Sequence, residues 1–367
     1  MARVTAAFLT ALSGLSVAAM GQVLAPPFDV NYQLVDLGVP PGVPQALGGI
    51  CFKPGDNNKI LIGGGANGGN GTVYEVGITR TGNGYIIGFT GTATVYSTAQ
   101  FIDGGLCVVP GSGGTVMFTT YSNHSLGQVK PGSTVPDRYD ALGATGIVGS
   151  TGTCQFVPAG MPGAGNFVIA SYSAGTFNTL PLTQEAGPAP HTYTFTASGG
   201  QQVFTGGGPE GIIYVPMFSP VFNETPSMLV CQYSLGKVEA FDVDPNGLPV
   251  PASRRDFITG LGGAEGACLD PRTNSLLFST FGGGGHVVMV PGFNLPPCGP
   301  ADIGRPGGLF GADGLLNNND FVVMVDRFFA HDPRADYGRV GGVAGADGMW
   351  DNNDFVVFID LFFAGCP

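Results

Sequence analysis

Charge is scarce in this chain. Asp, Glu, Lys and Arg make up 11% of its 367 residues, and 14 basic residues face 26 acidic ones for a net charge of −12. Nucleic-acid binders need a cationic surface that displaces counterions, so this balance excludes that class. Histidine is equally thin: His124, His191, His286 and His331 fall in no pairwise spacing suited to zinc. After the amino terminus Gly, Pro, Asn and Asp interrupt every hydrophobic stretch, so no later segment reads as a bilayer span. The chain has no Gly-x-Ser-x-Gly elbow in a strand-to-helix context. Its glycine runs at 63–69 and 282–285 lack the lysine and following helix of a phosphate cradle and read as turns.

The amino terminus reads Met1, Ala2, Arg3, then an apolar run from Val4 to Ala19 and small residues at the exit, the layout of a secretory signal over 1–21. Export is the expectation. Seven cysteines are too few for a disulfide-built scaffold, and the odd count leaves at least one free within the chain. Cys298 and Cys366 bracket the last stretch of sequence and can clasp it. Cys51, Cys107, Cys154, Cys231 and Cys268 fall on apolar, strand-like runs and read as packed thiols.

That last stretch holds two near-copies of one unit, 301–330 and 335–364, identical at 20 of 30 positions. Each copy opens on Asp (Asp302, Asp336), reaches Asp-Gly (Asp313-Gly314, Asp347-Gly348) and ends in Asn-Asn-Asp-Phe. With the final Asp320 and Asp354 as position 12 of a calcium loop, Asp313 and Asp347 fall at position 5. Leu315 and Met349 then offer position 7 carbonyls, and Asn317 and Asp351 stand at position 9. A helical stripe follows at once, Phe321, Val325 and Phe328 in one copy and Phe355, Ile359 and Phe362 in the other. Neither helix can bury such a stripe alone, so the copies are expected to pack as one small domain. Residues 299–367 carry ten Asp and four Arg, which gives −6, half of the chain's negative charge.

This duplicated unit resembles a dockerin domain, over 301–367, of the secreted type whose last residues include Gly-Cys (Gly365-Cys366). The resemblance implies Ca2+ bound by Asp302, Asp313, Leu315, Asn317, Asp320, Asp336, Asp347, Met349, Asp351 and Asp354, and a cohesin-like receptor or other surface protein as partner. Arg327 and Leu361 mark where the two helices differ. One departure stands out: about seven extra residues, within 304–311 and 338–345, separate the opening Asp from Asp-Gly. Either the insert loops out and Asp302 and Asp336 return as position 1, or the sites are weakened. The competing reading has Asp-Gly as a turn and Asn or Asp as a helix cap, with no metal.

Ahead of a Pro-rich linker at 294–300, residues 22–293 read as all-β, with short runs rich in Gly, Val, Thr and Phe. An apolar run ending at Pro recurs at Pro54, Pro110, Pro158, Pro216 and Pro271, and a turn and a second apolar run follow most of them. Hairpins repeated about every fifty residues predict the blades of a β-propeller. Five repeats are legible, and the strand near 32–37 joining the last suggests about six blades. Two packed β-sheets are the alternative fold.

The blade starts Pro209-Glu210-Gly211-Ile212 and Ala264-Glu265-Gly266-Ala267 resemble those of six-bladed propellers of the NHL and gluconolactonase-like group. That resemblance implies a metal-dependent lactonase site at the channel mouth, with Glu210, Glu265 and Asp103 as candidates; the starts at 47–49 and 150–152 carry no acid. Three functions follow. The first is a secreted, non-catalytic propeller or one of unknown activity, attached to a surface or assembly through its calcium-binding module. The second is a metal-dependent extracellular hydrolase or lactonase with the same tether. The third is a propeller that binds polysaccharide or peptide, where Tyr121 and Tyr172 stack.

Overall fold

The computed structural model describes residues 21–365 apart from 83, 197–201, 218, 223–224, 292–297, 306–307 and 313–314. All but the last residue of the expected signal sequence, most of the linker, Asp313 and Cys366 therefore lie outside the described residues. The chain divides into two compact units, one ending at Gly292 and one taking in Phe293–Pro367.

The first unit is a ring of four-stranded antiparallel sheets. After β1 (Val23–Leu24) and β2 (Val35–Gly38), blade 1 is built from β3 (Leu47–Lys53), β4 (Asp56–Gly64), β5 (Thr72–Arg80) and β6 (Ile86–Thr98). Blade 2 contains β7 (Ile102–Val108), β8 (Val116–Thr120), β9 (Ser125–Val129) and β10 (Arg138–Ala141). Blade 3 is β11 (Thr151–Phe156), β12 (Phe167–Ser171) and β13 (Thr176–Thr179); a side hairpin, β14 (Leu182–Gln184) and β15 (Tyr193–Phe195), precedes its outer strand β16 (Val203–Phe204). Blade 4 runs through β17 (Pro209–Tyr214), β18 (Ser227–Gln232), β19 (Lys237–Asp242) and β20 (Arg255–Thr259), with β1 added outside. Blade 5 has β21 (Ala264–Leu269), β22 (Leu276–Thr280) and β23 (Val287–Val290).

The inner strands β3, β7, β11, β17 and β21 each contact the next, and β21 returns to β3, so the ring is a propeller of five blades. This corrects the expectation of about six. The amino-terminal strand completes no blade of its own: β2 pairs with β23 through Val35–Met289 and Asp36–Val288 and serves as the outer strand of blade 5. Blade 5 thus takes its outer strand from the beginning of the unit and its other three from the end, which ties the two ends of the ring together.

Core lies between blades as well as within them. Cys268 and Leu277 of blade 5 share a cluster with Ile50, Phe52 and Ile62 of blade 1. Cys51 and Leu61 join Leu106 and Phe118 of blade 2, and Cys107 and Met117 join Cys154 and Ile169 of blade 3. Cys51, Cys107, Cys154, Cys231 and Cys268 are all buried free thiols, as packed apolar residues would be.

The carboxy-terminal unit contains two helices, α1 (Asn318–Phe329) and α2 (Asn352–Ala364). Before each comes a two-residue hairpin, β24 (Gly304–Arg305) with β25 (Leu309–Phe310) and β26 (Gly338–Arg339) with β27 (Val343–Ala344), formed by the inserted residues. The helices meet through Phe321, Met324, Phe328, Phe355, Phe358 and Phe362; Phe321–Phe362 and Phe328–Phe355 ring centroids are both 4.5 Å apart. None of the described helices is long and apolar enough to cross a membrane.

Candidate functional site

All five inner strands break register with their neighbours at the same level, near their first residues. The residues squeezed out of pairing are Gly48-Gly49, Asp103-Gly104-Gly105, Gly152, Glu210-Gly211 and Glu265-Gly266. A bulge of this kind frees a side chain from the alternating faces of the sheet and re-aims it. At this level three blades carry an acid and two carry glycine. The glycines are required by crowding: a Cβ on Gly152 would stand 2.8 Å from Glu210 Oε2, and one on Gly266 would stand 2.6 Å from Gly49 Cα of the next blade.

Hydroxyls on the second strands hold this ring together. Thr119 Oγ1 accepts from the Gly105 amide at 3.0 Å and donates to the Gly152 carbonyl of blade 3 at 2.8 Å. Ser279 Oγ does the same between blades 5 and 1, accepting from Gly266 at 2.9 Å and donating to Gly48 at 2.6 Å.

The result gathers Asp103, Glu210 and Glu265, from three separate blades. One oxygen of each lies within 4.8 Å of the others, and the side chains are only 1 to 2% exposed. Asp103 Oδ2, Glu210 Oε2 and both oxygens of Glu265 have no hydrogen-bond partner. With its amide nitrogen turned toward the cluster, Asn67 donates to Asp103 Oδ1 at 3.1 Å.

Burial pushes the Asp103 carboxyl up to about 8 against hydrogen bonds with Glu265, which requires a proton shared between the two acids, and with Asn67 and Gly104. Burial, then repulsion from the neighbouring carboxylates, raises Glu210 and Glu265 well above the usual range. Three carboxylates this close in a dry site cannot all stay ionised without a cation.

Above the acids is a cavity of about 240 Å³ walled by Tyr121, Tyr172, Tyr233 and Phe281. Each of these follows directly on the second strand of its blade, β8, β12, β18 and β22. They stand edge to face in succession, with centroids 6.3, 5.8 and 5.8 Å apart. Blade 1 breaks the collar. There β4 runs into Gly65 and the polar Asn67 takes the lining position. Asn67, Tyr233 and Phe281 were not foreseen, because Asn67 sits in a glycine run that reads as a turn and single aromatics after a strand carry no spacing signal. Aligning the repeats on their second strands would have found Thr120-Tyr121, Ser171-Tyr172, Gln232-Tyr233 and Thr280-Phe281, each a polar residue followed by an aromatic.

The carboxy-terminal candidates occupy different positions. Asp320 is fully buried beneath the amino end of α1 and accepts from the amides of Ile303, Gly304 and Asn317 at 2.7 to 2.8 Å. Asp354 repeats this in α2, accepting from Tyr337, Gly338 and Asp351 at 2.7 to 2.9 Å. Asn317 and Asp351 are the N-caps of these helices, bonded to the Asn319 and Asn353 amides. Each carboxylate thus gives three of its roughly four lone-pair positions to backbone amides.

The insert does loop out in the second copy: Asp336 returns to accept from the amides of Asp347 and Gly348 at 3.0 and 2.7 Å, while Asp347 accepts from Met349. Asp302 accepts from the Cys298 amide at 2.7 Å. Leu315 and Met349 are exposed. Cys298 is disulfide-bonded. Among the described residues the propeller acids form the one group of three carboxylate, His or Cys side chains with the proximity a metal needs.

No protein-family model matches the chain, and neither does any curated protein sequence. Among solved structures, a candidate 6-phosphogluconolactonase from Bacteroides uniformis is 14% identical and aligns over 68% of this chain and 72% of its own, with a TM-score of 0.35. The PQQ-bound aldose sugar dehydrogenase of Streptomyces coelicolor is 12% identical over 69% and 82%, at 0.36. A luciferin-regenerating enzyme is 10% identical over 72% and 97%, at 0.39. At such values the chemistry of the site has to be argued from its own geometry.

Proposed function

We propose that the propeller mouth is the working site of this chain. In this reading Asp103, Glu210 and Glu265, with Asn67 beside them, hold one divalent cation for the hydrolysis of a carbonyl ester or lactone. The observation that carries this is the set of orphaned carboxylate oxygens within 4.8 Å of one another at the base of a cavity. Oxygens sharing one calcium ion at about 2.3 to 2.6 Å can stand no more than about 5 Å apart, so the residues present fit such an ion. An all-oxygen donor set also suits calcium, magnesium or manganese better than zinc or copper.

When bound, a divalent ion polarises a substrate carbonyl. The chain's own groups do the rest. Asn67 orients Asp103 through its amide, and the bulges fix the carboxylates on rigid inner strands instead of mobile loops. The collar limits access of bulk water.

The carboxy-terminal unit is assigned the role of tether on an exported protein. Its two helices present matched apolar residues outward, Val322, Val325 and Phe329 on α1 and Val356, Ile359 and Phe363 on α2, with the two phenylalanines 74 and 77% exposed. A paired apolar face of this kind suits a receptor such as a cohesin-like surface protein. Hydrolysis of lactone and aryl-ester substrates, measured with added calcium and after chelation, tests the catalytic reading. Activity indifferent to both calcium and chelator would refute it.

A further inference from the structure

The cavity has a charge preference of its own. It is lined by Asn67, four aromatic rings and three acids, with no lysine, arginine or histidine among the described residues that line it. The rings stand at 75 to 86° to one another, and wherever one turns its face inward its potential is negative, the same sign as the floor. A phosphate or carboxylate would meet repulsion from below and no donor cation on any side.

We propose that the collar of Tyr121, Tyr172, Tyr233 and Phe281 binds an alkylammonium group, carried by a small organic ligand and seated above Asp103, Glu210 and Glu265. Neighbouring centroids 5.8 to 6.3 Å apart around a fivefold ring place each ring about 5 Å from the axis, inside the roughly 6 Å over which a cation is attracted to an aromatic ring. A volume of about 240 Å³ suits a trimethylammonium headgroup with a short tail.

The aromatic wall also decides which cation fits. A methylated ammonium group is weakly hydrated and gives up its water readily, whereas a small inorganic ion exchanges water only for oxygen ligands. Asn67 fills the fifth side of the collar, so the polar tail of the ligand leaves past blade 1.

The inference shares its floor with the divalent-ion reading but does not need it. A divalent ion among three ionised carboxylates leaves one net negative charge facing the collar, and without the ion the ammonium group itself supplies the positive charge that lets a carboxylate beneath it ionise.

Calorimetric titration of the full-length protein with choline, in chelator and again in excess calcium, tests the proposal. The neutral carbon isostere 3,3-dimethyl-1-butanol is the control. Choline is expected to bind under both conditions, and the isostere about tenfold more weakly or worse. Tyr172→Leu and Tyr233→Leu should each weaken choline about tenfold, while Tyr233→Phe, which keeps the ring, should bind nearly as wild type. Equal binding of choline and isostere, or no choline heat in either buffer, overturns the proposal. A calcium heat with choline silent sinks this inference alone, and choline binding with calcium silent sinks only the divalent-ion reading.

Discussion

Arg80 and Asp270, 190 residues apart, close the propeller across the junction of blades 1 and 5. The guanidinium donates to both carboxylate oxygens, at 2.7 and 3.0 Å, and the side chains are 6 and 0% exposed. Arg80 also donates to the Gly84 carbonyl at 2.6 Å and packs over the Phe52 ring. The junction therefore has an ion pair as well as the pairing of β2 with β23.

Removing one partner of such a pair leaves a buried charge. Arg80→Met is expected to cost roughly 3 to 5 kcal/mol and to lower the melting temperature of the propeller by about 10 °C. The double variant Arg80→Met with Asp270→Leu should recover a large part of that loss. Thermal melts of the single and double variants check this.

The carboxylate cluster predicts the sign of a pH effect. Asp103 rises from 3.8 in the unfolded chain to about 8 in the fold, and Glu210 and Glu265 rise as well. The native state then holds more protons than the unfolded chain between about pH 4 and 8. Their contribution is fully present below the first value and lost as pH rises through the second. Chelated protein should melt at progressively lower temperature across that window, and Glu265→Gln should flatten the slope. Added calcium should raise the melting temperature most at the alkaline end. A Glu265→Gln profile parallel to wild type would contradict the assignment.

Gly152 of blade 3 packs against Pro209 and Glu210 of blade 4. Gly152→Ala places a Cβ against the Pro209 carbonyl and 2.8 Å from Glu210 Oε2. Overpacking of this kind costs about 1 to 3 kcal/mol and should displace Glu210. Gly55→Ala, at a turn with open space around it, is the control for glycine loss, although its φ of 78° adds some backbone strain of its own. Calcium affinity should fall in the first variant and hold in the second.

In the carboxy-terminal unit Asp320 and Asp354 each satisfy three backbone amides. Asp354→Ala strands those donors and should destabilise the unit by roughly 2 to 4 kcal/mol. Circular dichroism melts in calcium and in chelator decide between a capping and a metal-binding role. Equal loss in both buffers marks a cap, and loss only in calcium marks a ligand.

The repeats were legible because proline ends or follows each inner strand, so Pro54, Pro110, Pro158, Pro216 and Pro271 counted five hairpins directly. The sixth blade was an error of closure. The strand around Val35 has no partner within its own neighbourhood, and nothing local shows that it pairs with a strand some 250 residues later. Asp103, Glu210 and Glu265 could be named as acids at equivalent blade starts, yet their convergence depends on bulges that sequence period does not reveal. The collar escaped for a similar reason: its four rings lie far apart in sequence, and only the ring of blades makes them neighbours. At Asp320 and Asp354 both a calcium ligand and a helix cap fit the sequence, since each needs a carboxylate ahead of an apolar stripe.

One divalent ion shared by the three propeller acids can be counted. Equilibrium dialysis with calcium-45, on wild type and on a Glu210→Gln, Glu265→Gln variant shown by circular dichroism to be folded, tests it most directly. One bound ion fewer per chain is expected in the variant, whatever the carboxy-terminal unit contributes to both. The same number of ions in the two proteins would contradict it.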